Sequence, residues 1–350
     1  MRGDAPKAVL FRRRWPLVLD LWFFNPQAQP VLAMVEITPW HWAAFLACVL
    51  VFLALDLGVF HRKARIVRFR EAMGWTALWF MLAMGFAAAL APLRSQEEAV
   101  EFLTGYLLEL SLSMDNVFVI ALIFAYFRVP TEYQHRVLFW GILGALLMRG
   151  IMIGTGAALI DRVQWILYLL GALVVYSGIK MLFTDPDVHP DKNPVIKLAR
   201  RFFPVSGAFD GQKFLTATEG GQRALTPLAL VLVMVETTDL VFALDSIPAI
   251  FGITTKKFIV FTSNVFAILG LRSLYFVLAG AIDYFRYLKY GLSIVLIFIG
   301  VKMFVEYWHI KLSTMLSLAV VAGIILISIL FSVFAARRER APEGRQEPGT

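Results

Sequence analysis

The chain has 350 residues, of which 59% are hydrophobic and only 17% are charged. Its mean hydropathy of +0.72 is typical of a polytopic membrane protein and excludes an ordinary soluble globular domain. The net charge of +8 does not indicate a nucleic-acid partner, because the basic residues lie mostly in short segments between apolar runs, where they set membrane topology. Cys48 is the only cysteine, which excludes an intrachain disulfide and a CxxC redox pair.

Residues 1–36 form an N-terminal extension that fits a membrane protein least well. Arg12, Arg13 and Arg14 favour the cytoplasm, whereas the topology derived below places this end outside. Two explanations stay open: a cleaved signal peptide, or a start assigned too early, with Met34 as the true first residue. We favour the second, because the sequence from residue 37 onward reads as one continuous membrane design.

Nine apolar stretches are long enough to cross a bilayer as helices, which takes about 20 residues each. They predict an all-α polytopic membrane protein. Their approximate bounds are 40–60, 73–93, 103–127, 137–160, 164–183, 226–251, 258–279, 286–305 and 313–335.

Basic residues alternate between the segments that connect these spans. The segment after the first span, "HRKARIVRFRE", carries five basic residues, and the long loop 184–225 carries six. The positive-inside rule therefore predicts that both are cytoplasmic. The alternation continues to the tail, 336–350, so we expect a multi-pass protein of a bacterial-type inner membrane with a cytoplasmic C-terminus.

Two three-span units share one order of polar landmarks. An acidic motif, an arginine and a Gly-Lys motif recur: "DNVF" (115–118), Arg149 and "GIKM" (178–181), then "DLVF" (239–242), Arg272 and "GVKM" (300–303). The Asp-to-Arg and Arg-to-Lys spacings are 34 and 31 residues in the first unit and 33 and 30 in the second. Because each unit has three spans, the second must be inverted relative to the first. Secondary transporters built this way bind their substrates near the midplane, where the repeats meet.

These landmarks divide the membrane domain. We assign residues 37–310 to this domain, with inverted repeats 103–183 and 226–305 joined by the cytoplasmic loop 184–225. A last transmembrane helix, 311–335, follows.

The first span of each repeat carries acidic residues at membrane depth. An ionised group at the centre of a span costs about 2.5–3.5 kcal/mol on insertion scales, so these acids need compensation. The polar residues are Glu109, Ser111, Ser113, Asp115 and Asn116 in the third span, and Glu236, Thr237, Thr238, Asp239, Asp245 and Ser246 in the sixth. On regular helices Asp115 and Asp245 each lie about 120° from the nearest other acid.

Pro248 gives a reason to expect an irregular helix at this site. Proline disturbs the hydrogen bond to the carbonyl four residues earlier, that of Leu244, which is next to Asp245. A helix break there would turn Asp245 toward the other acids, as broken helices do around ions in transporters. The first repeat has no matching proline, so a break there would have to come from its Ser-rich run.

Two ways of neutralising the acids stay open. Arg149 and Arg272 lie at matched positions within the fourth and seventh spans, and in the simpler interpretation they form structural ion pairs with the acids. Five acids against two arginines leave an excess of negative charge, which a bound divalent cation would balance. Carboxylate, amide and hydroxyl oxygens suit Mg²⁺, Ca²⁺ or Mn²⁺, and all five histidines lie in loops or near span ends.

Several stretches between residues 37 and 310 resemble the TerC family of integral membrane proteins, most closely its riboswitch-linked Alx-type branch. They are "ITPWHW", "LALDLGVFHR", "LELSLSMDNVFV", "PVSGAFDGQKF", "TPLALVLVMVETTDLVFALDSIPAIFGIT" and "FIVFTSNVFAILGLRSLYF". The resemblance implies a fold of two inverted halves and manganese efflux, with tellurium resistance and metal supply to secreted or membrane enzymes as associated roles. It implies metal ligands at Glu109, Asp115, Glu236, Asp239 and Asp245, with Asn116 beside them. Residues 1–33 fall outside the family pattern.

Two functions of different classes follow. The first is an exporter of Mn²⁺ or another divalent cation, in which buried carboxylates take up protons when the metal leaves. The second is a non-transporting assembly or scaffold protein linked to metal or tellurium resistance, in which loop 184–225 recruits membrane partner proteins or lies on anionic lipid. We predict no catalytic residue and no permanent cofactor, so the chain is expected not to be an enzyme.

Overall fold

A computed structural model describes residues 36–55, 69–163, 165–183, 194–217, 222–279, 288–305 and 312–339. These residues form ten helices and one antiparallel two-stranded hairpin. The elements are α1 Pro39–Leu55, α2 Phe69–Leu93, α3 Gln96–Tyr126, α4 Thr131–Arg162, α5 Ile166–Phe183, α6 Pro194–Phe202, β1 Leu215–Ala217, β2 Arg223–Leu225, α7 Pro227–Phe251, α8 Lys257–Ala279, α9 Leu288–Val305 and α10 Thr314–Glu339.

Among the described residues, eight helices are long and apolar enough to cross a membrane, and α1 is a shorter apolar helix. These nine helices lie at the nine predicted spans, which confirms the all-α polytopic fold. Predictions for the N-terminal extension, for most of the basic segment after α1 and for the C-terminal tail beyond residue 339 concern residues outside the described ranges.

The helices extend beyond the apolar stretches that predicted them. α3 begins at Gln96, seven residues before the predicted span, because Ser95 caps it by accepting a hydrogen bond from the amide of Glu98 at 3.1 Å. Glu97 and Glu98 in the first turn add favourable charge at the helix N-terminus. With 31 residues, α3 is roughly 46 Å long at 1.5 Å per residue, longer than a bilayer core.

The contacts between the two repeats are reciprocal. α3 packs on α8 as α4 packs on α7, while α5 packs directly on its counterpart α9. If α3, α4 and α5 are exchanged with α7, α8 and α9, these same pairs of helices are in contact. A two-fold relation between inverted units requires this. α8 is the most enclosed helix, with 83% of its apolar span buried against 17% for α10.

The crossing of α5 and α9 depends on two matched glycines. A methyl group on Gly178 would lie 2.9 Å from the carbonyl oxygen of Ser293, and one on Gly300 would lie 2.8 Å from that of Gly171. Gly171 and Ser293 occupy equivalent positions in the two repeats. The contact of Gly178 with Ser293 is therefore equivalent to the contact of Gly300 with Gly171. Small residues at such crossings let helix backbones approach closely in membranes.

We expect Gly300→Ala to destabilise this crossing, because the obstacle is backbone and cannot rotate away. Overpacking of this kind costs about 1–3 kcal/mol. Thermal unfolding in detergent measures the effect. Gly323→Ala on α10 is the control, since a methyl group there meets nothing within 4 Å; equal melting temperatures for the two variants would contradict the expectation.

The loop before α7 folds onto one end of the bundle. α6 packs against α7, and the hairpin of β1 and β2 leads into Thr226, the N-cap of α7. The Thr226 hydroxyl donates to the carbonyl of Lys213 at 2.7 Å and accepts from the amide of Ala229 at 3.3 Å. The position of α7 is therefore tied to this loop.

At the opposite end, basic side chains pair with acids. Lys256, between α7 and α8, lies 3.1 Å from Glu101 and 3.6 Å from Glu98 of α3, and Arg94 also contacts Glu98. Lys302 of α9 is buried and donates to the carbonyl of Gly252, just after α7 ends. The Lys256 contacts join α3 to the connection between α7 and α8, and the Lys302 contact joins α9 to the end of α7. All of them lie on the side that the charge pattern predicts to be outside.

Candidate cation site

Arg149 lies at the centre of the buried polar residues. It is 2% exposed and reaches from α4 to both repeats, forming ion pairs with Glu109 of α3 and with Asp239 of α7, the latter at 3.1 Å. It also donates to Asn264 of α8 at 2.9 Å and to Ser246 of α7 at 3.4 Å. Four helices therefore meet at one guanidinium, between the two repeats.

Asn116 extends this network along α3. Its amide nitrogen donates to Asp239 at 3.4 Å, and Glu109, seven residues earlier on the same face, contacts Arg149. Within the described part of the chain, Oε2 of Glu109 and Oδ1 of Asn116 are buried without a hydrogen-bond partner. Buried acceptors of this kind carry a desolvation cost that a cation would relieve.

Glu236 lies on the same helix as Asp239 but against α4. Its carboxylate packs over Gly144, where a methyl group would overlap it. Glycine at this position leaves the room that the carboxylate occupies. Glu236 therefore faces α4, the helix that carries Arg149, about one and a half turns before Arg149.

Asp245 does not join these residues. It accepts a hydrogen bond from Ser177 of α5 at 2.5 Å, so it faces a different neighbour. The predicted helix break at Pro248 is wrong, because α7 continues through Pro248 to Phe251. Pro248 lies in the last turn of α7, so the one backbone hydrogen bond that it removes is near the end of the helix.

Asp115 and Arg272 also stand apart from the ion pairs of Arg149. Asp115 is half-buried on α3, about 120° around the helix from Glu109, and α3 is continuous through the Ser-rich run. Arg272 is buried on α8. Its counterpart Arg149 contacts Asn264 and Ser246. In the first repeat the positions equivalent to Asn264 and Ser246 are Gly141 and Leu122, which offer Arg272 no polar side chain.

The hydroxyl groups near the acids are mostly satisfied within their own helices. Ser111, Thr237 and Thr238 each donate to the carbonyl four residues earlier. Such bonds satisfy a buried hydroxyl without a ligand. We therefore leave these three residues out of the site.

Two contributors were missed from the sequence. Asn264 on α8 is fully buried and contacts Arg149, and Gly144 accommodates Glu236. The available signal for Asn264 was an amide in an otherwise apolar span, "FTSNVF". Gly144 carried no signal, since glycines are common in membrane helices.

In this arrangement Arg149 occupies the position between the acids. Among the residues that the structure describes, no group of three or more acidic, histidine or cysteine side chains is placed to hold a metal ion. Glu109 and Asp239 pair with a guanidinium, and Glu236 lies on the same helix as Asp239. Asp245 accepts from Ser177, and Asp115 lies on another side of α3 than Glu109. The site is thus a closed cluster of two acids around an internal cation.

The fold and the site together define a polytopic α-helical membrane protein with two inverted repeats and a buried charged cluster between them. Residues 94–340 match the Integral membrane protein TerC family. The chain belongs to this family, which confirms the resemblance.

Curated relatives match most of the chain. An uncharacterized membrane protein of Myxococcus xanthus, STKORF319, is 50% identical over 86% of this chain and 94% of its own. The putative membrane-bound redox modulator Alx of Escherichia coli K12 is 42% identical over 88% of this chain and 98% of its own. An uncharacterized membrane protein of Rickettsia bellii is 37% identical over 83% and 96%. No solved structure matches.

Proposed function

We propose that this protein exports a divalent cation and that the cation is Mn²⁺. One observation carries the proposal: Glu109 from one repeat and Asp239 from the other converge on a single buried positive charge, the Arg149 guanidinium. Ionisable residues inside a membrane domain are rare and mark substrate or ion pathways in many transporters.

The donor atoms favour a hard or borderline divalent cation. Glu109, Asp239, Glu236 and Asn116 supply oxygen, and the site contains neither thiolate nor imidazole among its described residues. Oxygen donors suit Mg²⁺, Ca²⁺ and Mn²⁺. Mn²⁺ is the choice that the family resemblance adds.

In the proposed transport cycle, Arg149 stabilises the state in which no metal ion is bound. While no metal is bound, the guanidinium neutralises Glu109 and Asp239 and keeps the two repeats together. An entering divalent cation competes for the same carboxylates and displaces Arg149 toward Asn264 and Ser246, which it already contacts. The repeats then rearrange around the ion, as in alternating access. Proton exchange with the acids is a further part of the proposal.

The other acids fit two accessory positions. Glu236 lies close enough along α4 to join the ion once Arg149 has moved. Asp115 and Asp245 lie outside the closed cluster and are proposed as ligands of states in which the repeats have rearranged. Transport across a bacterial inner membrane with the C-terminus in the cytoplasm completes the proposal.

The scaffold function is the alternative. The Alx relatives are named as redox modulators, and either function has to account for such a role if this chain shares it. This chain has one cysteine, Cys48, exposed on α1. A redox effect of this chain would therefore come from the redox-active metal it moves, or from a partner protein. Under the scaffold function, the Arg149 cluster would only hold the repeats together.

Cellular manganese content tests the proposed function. A manganese-sensitive bacterial host that expresses this chain is expected to hold less manganese, measured by mass spectrometry of washed cells, than the same host with an empty vector. Equal manganese contents, with the protein present in the membrane, would overturn the proposal and leave the scaffold function.

Gly144→Ala tests the role of Glu236 separately. The added methyl group displaces the carboxylate, which is the flexible end of a side chain, so we expect a stability loss at the lower end of the ~1–3 kcal/mol typical of overpacking but a clear loss of manganese export. Gly154→Ala on the same helix is the control, because a methyl group there meets nothing within 4 Å. If the two variants export manganese equally well, Glu236 has no part in the site.

A further inference from the structure

The short helix α6 has two opposite faces of different chemistry. At about 100° per residue, Val195, Leu198, Ala199 and Phe202 fall within one arc of roughly 100°. Lys197, Arg200 and Arg201 fall within a second arc on the other side. Leu198 is 54% and Phe202 68% exposed, so the apolar face points away from the protein.

The direction of this face is fixed by the rest of the fold. Ile196, between the two faces, is buried in the same cluster as Val129 and Leu228. Just after the helix, the carbonyl of Pro204 accepts from the amide of Leu225 at 2.9 Å, and the amide of Ser206 donates to the Leu225 carbonyl at 2.8 Å. Since Leu225 ends β2 beside α7, α6 is held to the bundle.

The helix lies at the end of the transmembrane spans. Of the residues in the buried cluster of Ile196, Val129 follows the end of α3 and Leu228 is in the first turn of α7. This is the level at which apolar spans give way to water, where the headgroups of a bilayer lie. Basic amphipathic helices at this level lie in the plane of the interface, with Leu and Phe among the acyl chains.

We propose that α6 lies in the headgroup layer of the leaflet on this side and that Lys197, Arg200 and Arg201 bind anionic phospholipid. The exposed apolar face would be unfavourable in water. A surface for another protein is the competing occupant. The bilayer is favoured because the apolar face is at headgroup level and the opposite face carries three cations, which complement anionic lipid.

Site-directed spin labelling of the full chain in vesicles tests this placement. With Cys48→Ser as background, a nitroxide at Leu198→Cys is expected to be accessible to oxygen but shielded from a water-soluble nickel complex. The control is Ala208→Cys, which is exposed in the same loop and should be accessible to nickel. Nickel accessibility at both positions would overturn the proposal, and so would shielding of the Leu198 label from both reagents, which indicates a protein cover.

Lipid binding tests the basic face. Native mass spectrometry of the purified protein with phosphatidylglycerol or phosphatidylcholine should show preferential binding of phosphatidylglycerol. In the triple variant Lys197→Gln, Arg200→Gln, Arg201→Gln, we expect its affinity to fall at least about tenfold, given how strongly each cation is attracted to an anionic surface. Equal binding of phosphatidylglycerol by parent and variant would contradict the assignment, whatever the outcome of the manganese assays.

Discussion

Asp239→Asn is expected to reduce manganese export to the level of an empty vector while the protein stays folded in the membrane. The substitution keeps the shape of the side chain but removes the negative charge of the carboxylate. That carboxylate pairs with Arg149 at 3.1 Å and accepts a hydrogen bond from Asn116. Losing one buried carboxylate ligand should weaken cation binding at least about tenfold, which corresponds to 1.4 kcal/mol. Folding is retained because Arg149 keeps its ion pair with Glu109.

Cellular manganese content, together with the amount of protein in the membrane, measures this effect. Asp161→Asn is the matched control, since Asp161 pairs with Lys257 at the end of the bundle, where it is exposed. Export by Asp239→Asn at the parent's rate would contradict the assignment of Asp239 as a ligand.

Arg149→Gln is expected to have the largest effect on stability. It leaves the carboxylates of Glu109 and Asp239 close together without their shared cation, and Glu109 is 0% exposed. Removing one partner of a buried ion pair costs about 3–5 kcal/mol, so the melting temperature in detergent should fall by roughly 10 °C. Mn²⁺ should raise the melting temperature of Arg149→Gln more than that of the parent, because the metal no longer competes with the guanidinium.

The double variant Glu109→Gln, Arg149→Gln separates charge from packing. Removing the buried carboxylate together with its partner should recover much of the lost stability, since the remaining residues carry less uncompensated charge. A double variant that is no more stable than Arg149→Gln would indicate that Arg149 acts through its packing. An equal response to Mn²⁺ in parent and Arg149→Gln would show that metal and arginine do not compete.

Much of the fold follows from the sequence because a bilayer imposes strict requirements. Apolar stretches of sufficient length located the nine apolar helices found among the described residues, since a helix satisfies all of its own backbone hydrogen bonds in lipid. The sequence did not predict that Gly178 and Gly300, both in the repeated motif, lie at the crossing of α5 and α9, because that contact depends on tertiary packing. The helix ends were less predictable, because caps such as Ser95 extend a helix past its apolar stretch.

The site was less predictable because its members meet only through tertiary packing. The sequence identified Glu109, Asp239 and Arg149, whose charge stands out in apolar spans, but not that one arginine joins both acids. The idea that Pro248 turns Asp245 toward them was wrong, because a proline in the last turn leaves the helix continuous and Ser177 of α5 provides Asp245 with a partner. Asn264 was missed because a lone amide has no distinctive spacing.

Metal flux by the purified protein tests the central claim most directly. The full chain is reconstituted in vesicles that contain a manganese-sensitive dye, and Mn²⁺ is added outside. We expect dye quenching by the parent protein well above that of protein-free vesicles and quenching at the protein-free level for Asp239→Asn. Quenching by the parent at the protein-free level, with correctly folded protein inserted in both orientations, would contradict the transport function.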